Sequence, residues 1–150
     1  MGKGEKVLNE LLVQLFNNIL QIEEKSLKDG LISDLSVTEL HTIEAVGINK
    51  ERTMTEVAQD LNITVGTLTT AINKLIKKGY VNRKRIEEDR RVVLIYLTDK
   101  GKIAYKLHEE FHKNMINATI DGLEEKEEEI LISSLERLNT FFKDKYNLIH

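Results

Sequence analysis

Apolar residues recur along much of the chain with the spacing of amphipathic helices. Residues 5–28 place them at i, i+3, i+4 and i+7, which predicts one long helix ending near Asp29-Gly30. The pattern in residues 124–147 predicts another long helix. Its start is weak, because Glu124 stands where Ser or Asp would be a better cap. Its apolar positions are close to a heptad repeat: Leu131, Leu135, Leu138 and Phe142. Long helices at both ends of the chain indicate a mainly α-helical protein.

Capping sequences divide residues 36–79 into three shorter helices. Ser36–Glu39 and Thr53–Glu56 have the S/T-x-x-E pattern of a capping box. Thr64 is a third N-cap, for a helix that runs to Lys78 and ends at Gly79. Only the short turn Asn62-Ile63 separates this helix from the one before it, which is typical of a helix-turn-helix.

A short β-rich stretch follows these helices. Val81–Arg85 and Val92–Leu97 flank a polar tip, Ile86–Arg91, and this pattern predicts a two-stranded hairpin. Thr98–Gly101 then caps a long helix that extends to about Ile120. The predicted fold is mainly α with a small β-hairpin wing. In it residues 1–150 form a single domain with a winged helix-turn-helix core at 31–100, and helices at 1–30 and 101–150 form a dimer.

The distribution of charge supports a nucleic-acid partner although the net charge is −3. Residues 62–105 contain ten Lys/Arg and four Asp/Glu, net +6, whereas the rest of the chain is net −9. A concentrated basic patch is what phosphate binding requires. The sequence has no Cys, no long uncharged apolar run and no signal-peptide pattern at its start, so we expect a cytoplasmic protein that does not enter membranes.

The order and spacing of several motifs resemble the MarR family of bacterial transcription regulators. These motifs are Ala58–Leu61, Thr67–Gly79, Asp89–Arg91 and Leu97–Gly101. Four further segments are similar to the fatty-acid-biosynthesis repressors of Gram-positive bacteria: Glu39–Ile43, Thr64–Thr70, Glu88–Val93 and Leu107–Lys113. The resemblance implies a homodimeric, non-enzymatic repressor of lipid-synthesis genes. It also implies that long-chain acyl–acyl carrier protein acts as a corepressor that tightens DNA binding.

The predicted fourth helix is the candidate for reading bases, since the first turns of a recognition helix face the major groove. Its expected DNA-facing residues are Thr64, Val65, Thr67, Thr70, Asn73 and Lys74. Thr methyl groups pack on thymine methyls and Asn prefers adenine, so an A·T-rich pseudo-palindrome is the expected operator. Gly66 either allows a phosphate to approach the backbone or is a poor helix former tolerated in the first turn.

The resemblance assigns three wing residues to DNA. Arg91 would enter the minor groove with Asp89 holding its guanidinium, and Arg90 would contact the backbone or the groove edge. A narrow A·T minor groove attracts Arg through its negative potential. The other basic side chains, Lys74, Lys77, Arg83, Lys84 and Arg85, are expected to contact phosphates or merely to be solvated.

Three histidines and nearby carboxylates leave two alternatives open. His41, His108 and His112, with Glu24 or its neighbour Glu23, have the chemistry of a tetrahedral zinc site, and zinc-responsive MarR regulators are similar in this respect. The alternative is that these histidines only line a cleft. His108-Glu-Glu-Phe-His112 also matches the H-E-x-x-H pattern of zinc peptidases, with Glu109 as base. A non-specific chromosome-packing role is disfavoured by the small polar reading face and the negative net charge.

Overall fold

The structure, a computed structural model, describes residues 1–28 and 30–147. It contains α1 (Lys3–Lys28), α2 (Val37–Val46), β1 (Arg52–Thr53), α3 (Met54–Leu61), α4 (Val65–Lys78), β2 (Val81–Arg85), β3 (Val93–Leu97), α5 (Asp99–Ile120) and α6 (Glu125–Tyr146). The predicted fold class is confirmed. Asp29, part of the predicted end of α1, lies outside the described residues. No helix within the described ranges is both long and apolar enough to cross a membrane.

The helices begin where the capping sequences predict. In the Ser36–Glu39 capping box the Glu39 amide donates to Ser36 Oγ (3.1 Å) and the Ser36 amide to Glu39 Oε1 (3.3 Å). Thr53, Thr64 and Thr98 cap α3, α4 and α5 through their side-chain oxygens. Glu124 makes no side-chain cap bond at the start of α6. Each of the four side-chain caps at Ser36, Thr53, Thr64 and Thr98 satisfies an amide that the first helical turn leaves without a partner.

The sheet has three antiparallel strands in the order β1-β3-β2, one strand more than the predicted hairpin. The hairpin itself is confirmed, with Val81 opposite Leu97 and Arg85 opposite Val93. The added strand pairs Arg52 with Ile95. Two residues directly before a helix cap carry no alternating pattern, so sequence could not reveal β1. Val92 remains outside β3 because its amide donates to Asp89 O (3.0 Å) in the tip.

The chain divides into two compact units, Met1–His41 and Thr42–His150, with the boundary inside α2. The first unit buries Leu27, Ile32, Leu35 and Leu40. The core of the second unit contains Ile43, Val46, Val57, Ala58, Leu68, Ile72, Leu75, Tyr80, Val81, Ile95, Leu97 and Ala104. These side chains come from the end of α2, the helix-turn-helix, the sheet and the start of α5. The predicted domain limits at 30/31 and 100/101 stay predictions.

Both long terminal helices expose large apolar side chains. On α1 the six stripe residues, Leu8, Leu11, Leu12, Leu15, Ile19 and Ile22, are 39–61% exposed. No described residue of α6 is buried, and its exposed side chains include Ile130, Ile132, Leu135, Phe141 and Phe142. Contiguous exposed apolar surface of this kind marks an interaction site.

Candidate nucleic-acid interface

Helix α4 presents one buried and one exposed face. Leu68, Ile72 and Leu75 are buried, at 0–1% exposure. The six residues predicted to face DNA are all exposed: Thr64, Val65, Thr67, Thr70, Asn73 and Lys74. Gly66, Thr70 and Asn73 stand at i, i+4 and i+7, so they form a single stripe along the helix. Two of the six predicted base-reading residues, Thr70 and Asn73, therefore lie on one exposed stripe of α4.

The threonine hydroxyls of α4 are engaged within the helix. Thr69 Oγ1 donates to Val65 O (2.8 Å), and Thr70 Oγ1 donates to Gly66 O (3.4 Å). Thr64 Oγ1 accepts the Thr67 amide and donates to Thr67 Oγ1 (2.9 Å). The hydroxyl protons of Thr64, Thr69 and Thr70 are therefore used within the helix, whereas the Thr67 hydroxyl, which accepts from Thr64, keeps its own proton for another acceptor. Methyl groups favour contact with thymine.

The C-terminal end of α4 is tied to the beginning of α5. Gly79 ends the helix in the left-handed conformation (φ 86°). Thr98 Oγ1 donates to Gly79 O (2.6 Å), and Lys100 Nζ donates to Lys78 O (2.9 Å). The Thr98 amide also donates to Tyr80 O (3.0 Å). We name these contacts the α4–α5 joint; they satisfy carbonyls that the helix end would otherwise leave unpaired.

At the tip of the wing, Asp89 holds Arg91 as predicted. Arg91 Nε donates to Asp89 Oδ1 (3.1 Å) and Arg91 Nη2 to Asp89 Oδ2 (3.4 Å), while the Arg91 amide also donates to Oδ1 (3.1 Å). The side-chain hydrogen bond, followed by the backbone one, lowers the pKa of Asp89 below its usual value. The carboxylate is therefore ionised at neutral pH. The Arg91 side chain is 92% exposed, which leaves its guanidinium open to a ligand.

Two wing cations predicted to contact phosphates have partners within the chain. Lys84 Nζ lies 2.6 Å from Glu51 Oε1, and this hydrogen bond raises the pKa of Lys84. Arg85 Nη1 donates to Arg90 O (2.7 Å) and so helps to close the tip. Both side chains remain exposed. Sequence reasoning did not identify Glu51, because 33 residues separate the pair and only the unpredicted β1 strand brings them together.

A third wing cation reaches the recognition helix. Arg83, the central residue of strand β2, reaches the exposed face of α4. Its Nη1 donates a hydrogen bond to Asn73 Oδ1 (3.0 Å). Arg83 is opposite Ile95, which is fully buried, so both lie on the sheet face that packs against the helices. The predicted phosphate contact at Arg83 and the predicted base contact at Asn73 therefore belong to a single hydrogen-bonded pair.

The predicted metal ligands lie in both units. In the first unit, His41 Nε2 is 3.6 Å from Glu23 Oε1, whereas Glu24 is exposed. In the second unit, His108 Nε2 lies 2.8 Å from His112 Nε2 and 3.4 Å from Glu44 Oε2. Glu44, His108 and His112 bring one ligand atom each into a group that could hold a metal ion. Glu44 was not predicted, and the ligand set with His41 and Glu24 stays a prediction.

Comparison with known proteins gives one consistent family. A family model described as transcriptional regulator SarA/Rot matches residues 30–109. The structure is similar to FabT of Streptococcus pneumoniae in complex with DNA, with 41% identity and a TM-score of 0.88 over 93% of this chain and 98% of that one. A MarR protein from Peptoclostridium difficile has the same fold (24% identity, TM-score 0.74; 96% and 92% of the chains). The uncharacterised regulator YhjH of Bacillus subtilis is 29% identical over 75% of this chain, which spans 65% of YhjH.

Proposed function

The chain belongs to the MarR family of DNA-binding transcription regulators, and from this premise we propose that it is a homodimeric repressor of fatty-acid synthesis genes. One observation carries the proposal. The exposed face of α4, which includes Thr64, Thr67 and Thr70, lies in the same unit as a wing whose tip holds Arg91 open to solvent. The likeness to FabT, whose structure contains DNA, extends over 93% of the chain.

The proposed DNA contacts divide between the two elements. Helix α4 would lie in the major groove, where its Thr methyl groups favour A·T pairs. The wing would reach the minor groove with Arg91, while Lys74, Arg85 and Arg90 contact the backbone and position the protein without selecting a sequence. Two copies related by a twofold axis would read a pseudo-palindrome with half-sites about one helical turn apart.

The dimer is proposed from the apolar surfaces of α1 and α6. We expect light scattering to give twice the mass of one chain. Leu135→Asp should lower this mass toward that of the monomer, because a charge on the α6 seam would have to be desolvated in the dimer. Ser133→Asp, on the opposite side of the same helix, is the matched control and should leave the mass unchanged. A wild-type protein with the mass of one chain at micromolar concentration would overturn the proposed dimer.

The proposed corepressor is long-chain acyl–acyl carrier protein. This step is supported by the likeness to FabT and by the four segments that resemble fatty-acid-biosynthesis repressors. A ligand that binds the DNA-competent form better than the free form tightens DNA binding by that difference in affinity. The acyl group would report that the products of the pathway are abundant.

A second candidate, a zinc-responsive repressor, is favoured by Glu44, His108 and His112. Two imidazoles and a carboxylate are ligands that Zn²⁺ accepts. The 2.8 Å between the two ring nitrogens is a hydrogen-bond distance, whereas tetrahedral zinc would hold them about 3.3 Å apart. Zinc binding would therefore break the hydrogen bond between His108 and His112 and form one metal bond to each ring. This change needs only a small movement of the two side chains on α5.

A gel-shift series on DNA upstream of the protein's own gene and of fatty-acid synthesis genes tests these candidates together. It compares protein alone, protein with long-chain acyl–acyl carrier protein, protein with unacylated carrier, and protein with Zn²⁺ before and after chelation. We expect tightening by the acylated carrier only. Tightening by zinc only, lost in His112→Gln, would replace the lipid proposal with the metal one. Absence of any shift at low salt would overturn the regulator function itself.

A further inference from the structure

We propose that Glu51 cancels the contribution of Lys84 to DNA binding, so that this part of the wing adds no general affinity for DNA. The inference rests on the proposed contact between the wing and DNA. It changes the expectation that Lys84 holds the protein on any sequence through a phosphate contact. Glu51 becomes a residue that limits general DNA affinity, and the hold of the wing then depends on the residues of its tip.

The ion pair between Lys84 and Glu51 crosses the sheet on its outer face. Lys84 lies opposite Leu94, next to the pair formed by Arg83 and the buried Ile95. Because successive side chains of a strand point to opposite faces, Lys84 lies on the face away from the helices. Glu51 directly precedes β1, and β3 lies between β1 and β2. The contact between Lys84 Nζ and Glu51 Oε1 (2.6 Å) therefore joins β2 to the start of β1 across the middle strand.

Glu51 is held in place by the residue that follows it. Arg52 pairs with Ile95 of β3, and its Nη1 donates to Ala45 O (2.7 Å) and Asp60 Oδ2 (2.6 Å). These contacts fix the backbone beside Glu51, so the carboxylate stays within reach of Lys84. The hydrogen bond to Glu51 is also the largest cause of the raised pKa of Lys84. The ammonium group is therefore fully charged, and a carboxylate balances its charge.

The balance of ions decides what this pair can contribute to DNA binding. A free Lys that contacts a phosphate releases about one condensed cation from the DNA, and this release drives binding to any sequence. If a phosphate takes Lys84 from Glu51, the carboxylate loses its partner and attracts a cation from solution. If Lys84 stays with Glu51, no phosphate is neutralised. The net release of cations is close to zero in both cases.

Glu87 provides a control of equal charge in the same cleft. Glu87, Glu51 and Lys84 all line a cleft beside the wing tip, but within the described residues the ion pair of Lys84 is with Glu51. Replacing Glu87 removes a negative charge from the wing without freeing Lys84. An effect that comes only from weaker repulsion of DNA would therefore appear in Glu87→Gln as well as in Glu51→Gln.

The test measures DNA affinity as a function of salt concentration. Wild type, Glu51→Gln, Lys84→Met, the double variant Glu51→Gln/Lys84→Met and Glu87→Gln are titrated by fluorescence anisotropy. Each is measured with operator and with unrelated DNA at several salt concentrations. Thermal melts check that every variant is folded, which we expect because the side chains of Glu51 and Lys84 are both 49% exposed.

We expect Glu51→Gln to bind both DNAs more tightly, by roughly 5-fold for each wing and up to about 30-fold for a dimer at about 0.15 M salt. Its salt slope should steepen by about 0.9 for each wing, while the ratio of operator to unrelated affinity should change little. Lys84→Met should remove this whole gain from Glu51→Gln but cost wild type much less. Glu87→Gln should keep a salt slope close to that of wild type.

Three outcomes would overturn the proposal while leaving the regulator function intact. In the first, Glu51→Gln binds with the affinity and salt slope of wild type. In the second, it tightens binding equally with and without Lys84, which would mean direct repulsion of DNA by Glu51. In the third, Lys84→Met costs wild type as much as it costs Glu51→Gln, so that Lys84 contacts DNA despite its partner. A wild-type protein that binds no DNA would instead defeat the proposed function, and this inference with it.

Discussion

Replacing Gly101 with alanine should destabilise the folded chain by about 3 kcal/mol. A Cβ on Gly101 would lie 2.0 Å from Tyr80 O and 3.2 Å from Leu97 Cβ, and Tyr80 is fully buried. The carbonyl cannot move aside cheaply because it accepts the Thr98 amide. In a chain of 150 residues this corresponds to a melting temperature lower by roughly 6–12 °C, which differential scanning calorimetry would measure.

Gly66→Ala is the matched control for this substitution. Its new Cβ would meet nothing nearer than Thr64 Oγ1 at 3.9 Å, and alanine is the better helix former. The melting temperature should therefore stay the same or rise slightly. If Gly101→Ala melts with the wild type, the close approach of α5 to Tyr80 does not exist in solution.

The importance of Gly101 lies in the α4–α5 joint. Gly101 lets the first turn of α5 approach Tyr80 O, while Thr98 and Lys100 donate to the last carbonyls of α4. A movement of the start of α5 would therefore act directly on the end of the recognition helix. A ligand bound near α5 has a short physical route to the DNA-reading surface, through hydrogen bonds and not through a loop.

The helix boundaries could be predicted because their causes are local. Thr64 and Thr98 cap the helices that follow them, and Gly79 and Gly122 take the positive φ values expected at helix ends. The Asp89–Arg91 pair was also predictable, since its members are two residues apart and chemically complementary. In each of these cases the partner lies within a few residues of the group it satisfies.

The features that sequence did not reveal depend on residues far apart in the chain. Strand β1 is stabilised by β3, more than 40 residues later, and it is β1 that places Glu51 beside Lys84. Arg83 and Asn73 are ten residues apart on different elements, and each alone suggests a different DNA contact. In the sequence, Gly101 looks like any glycine in the first turn of a helix, because its close approach to Tyr80 O exists only in the folded chain. No local pattern could encode these three proximities.

Arg91→Ala should weaken specific operator binding by about 1–3 kcal/mol, roughly 5- to 150-fold in Kd. The guanidinium is almost fully exposed and oriented by Asp89, so little ordering remains to be done when it enters a narrow groove. Fluorescence anisotropy with operator and with unrelated DNA measures the effect. The loss should be large for the operator and small for unrelated DNA.

Two neighbouring variants distinguish the recognition of the minor groove by Arg91 from two other effects. One is the orientation of Arg91 by Asp89, and the other is the general attraction of positive charge to DNA. Asp89→Asn removes the carboxylate that holds Arg91 and should lose part of the same specificity. Lys84→Met should weaken all sequences alike and reduce the salt slope by about 1 at most, because Lys84 already shares its charge with Glu51. An Arg91→Ala protein that discriminates as well as wild type would remove the wing from sequence recognition.

The decisive form of the Arg91 prediction changes the DNA. Diaminopurine in place of adenine adds an amino group to the minor groove and leaves the major-groove edge intact, which makes an A·T pair resemble G·C only on the minor-groove side. Such a substitution at the wing position should cost wild type nearly as much as Arg91→Ala does, and should cost Arg91→Ala almost nothing more. Independent, additive losses would instead mean that Arg91 contacts the outer phosphates, and that α4 alone selects the operator.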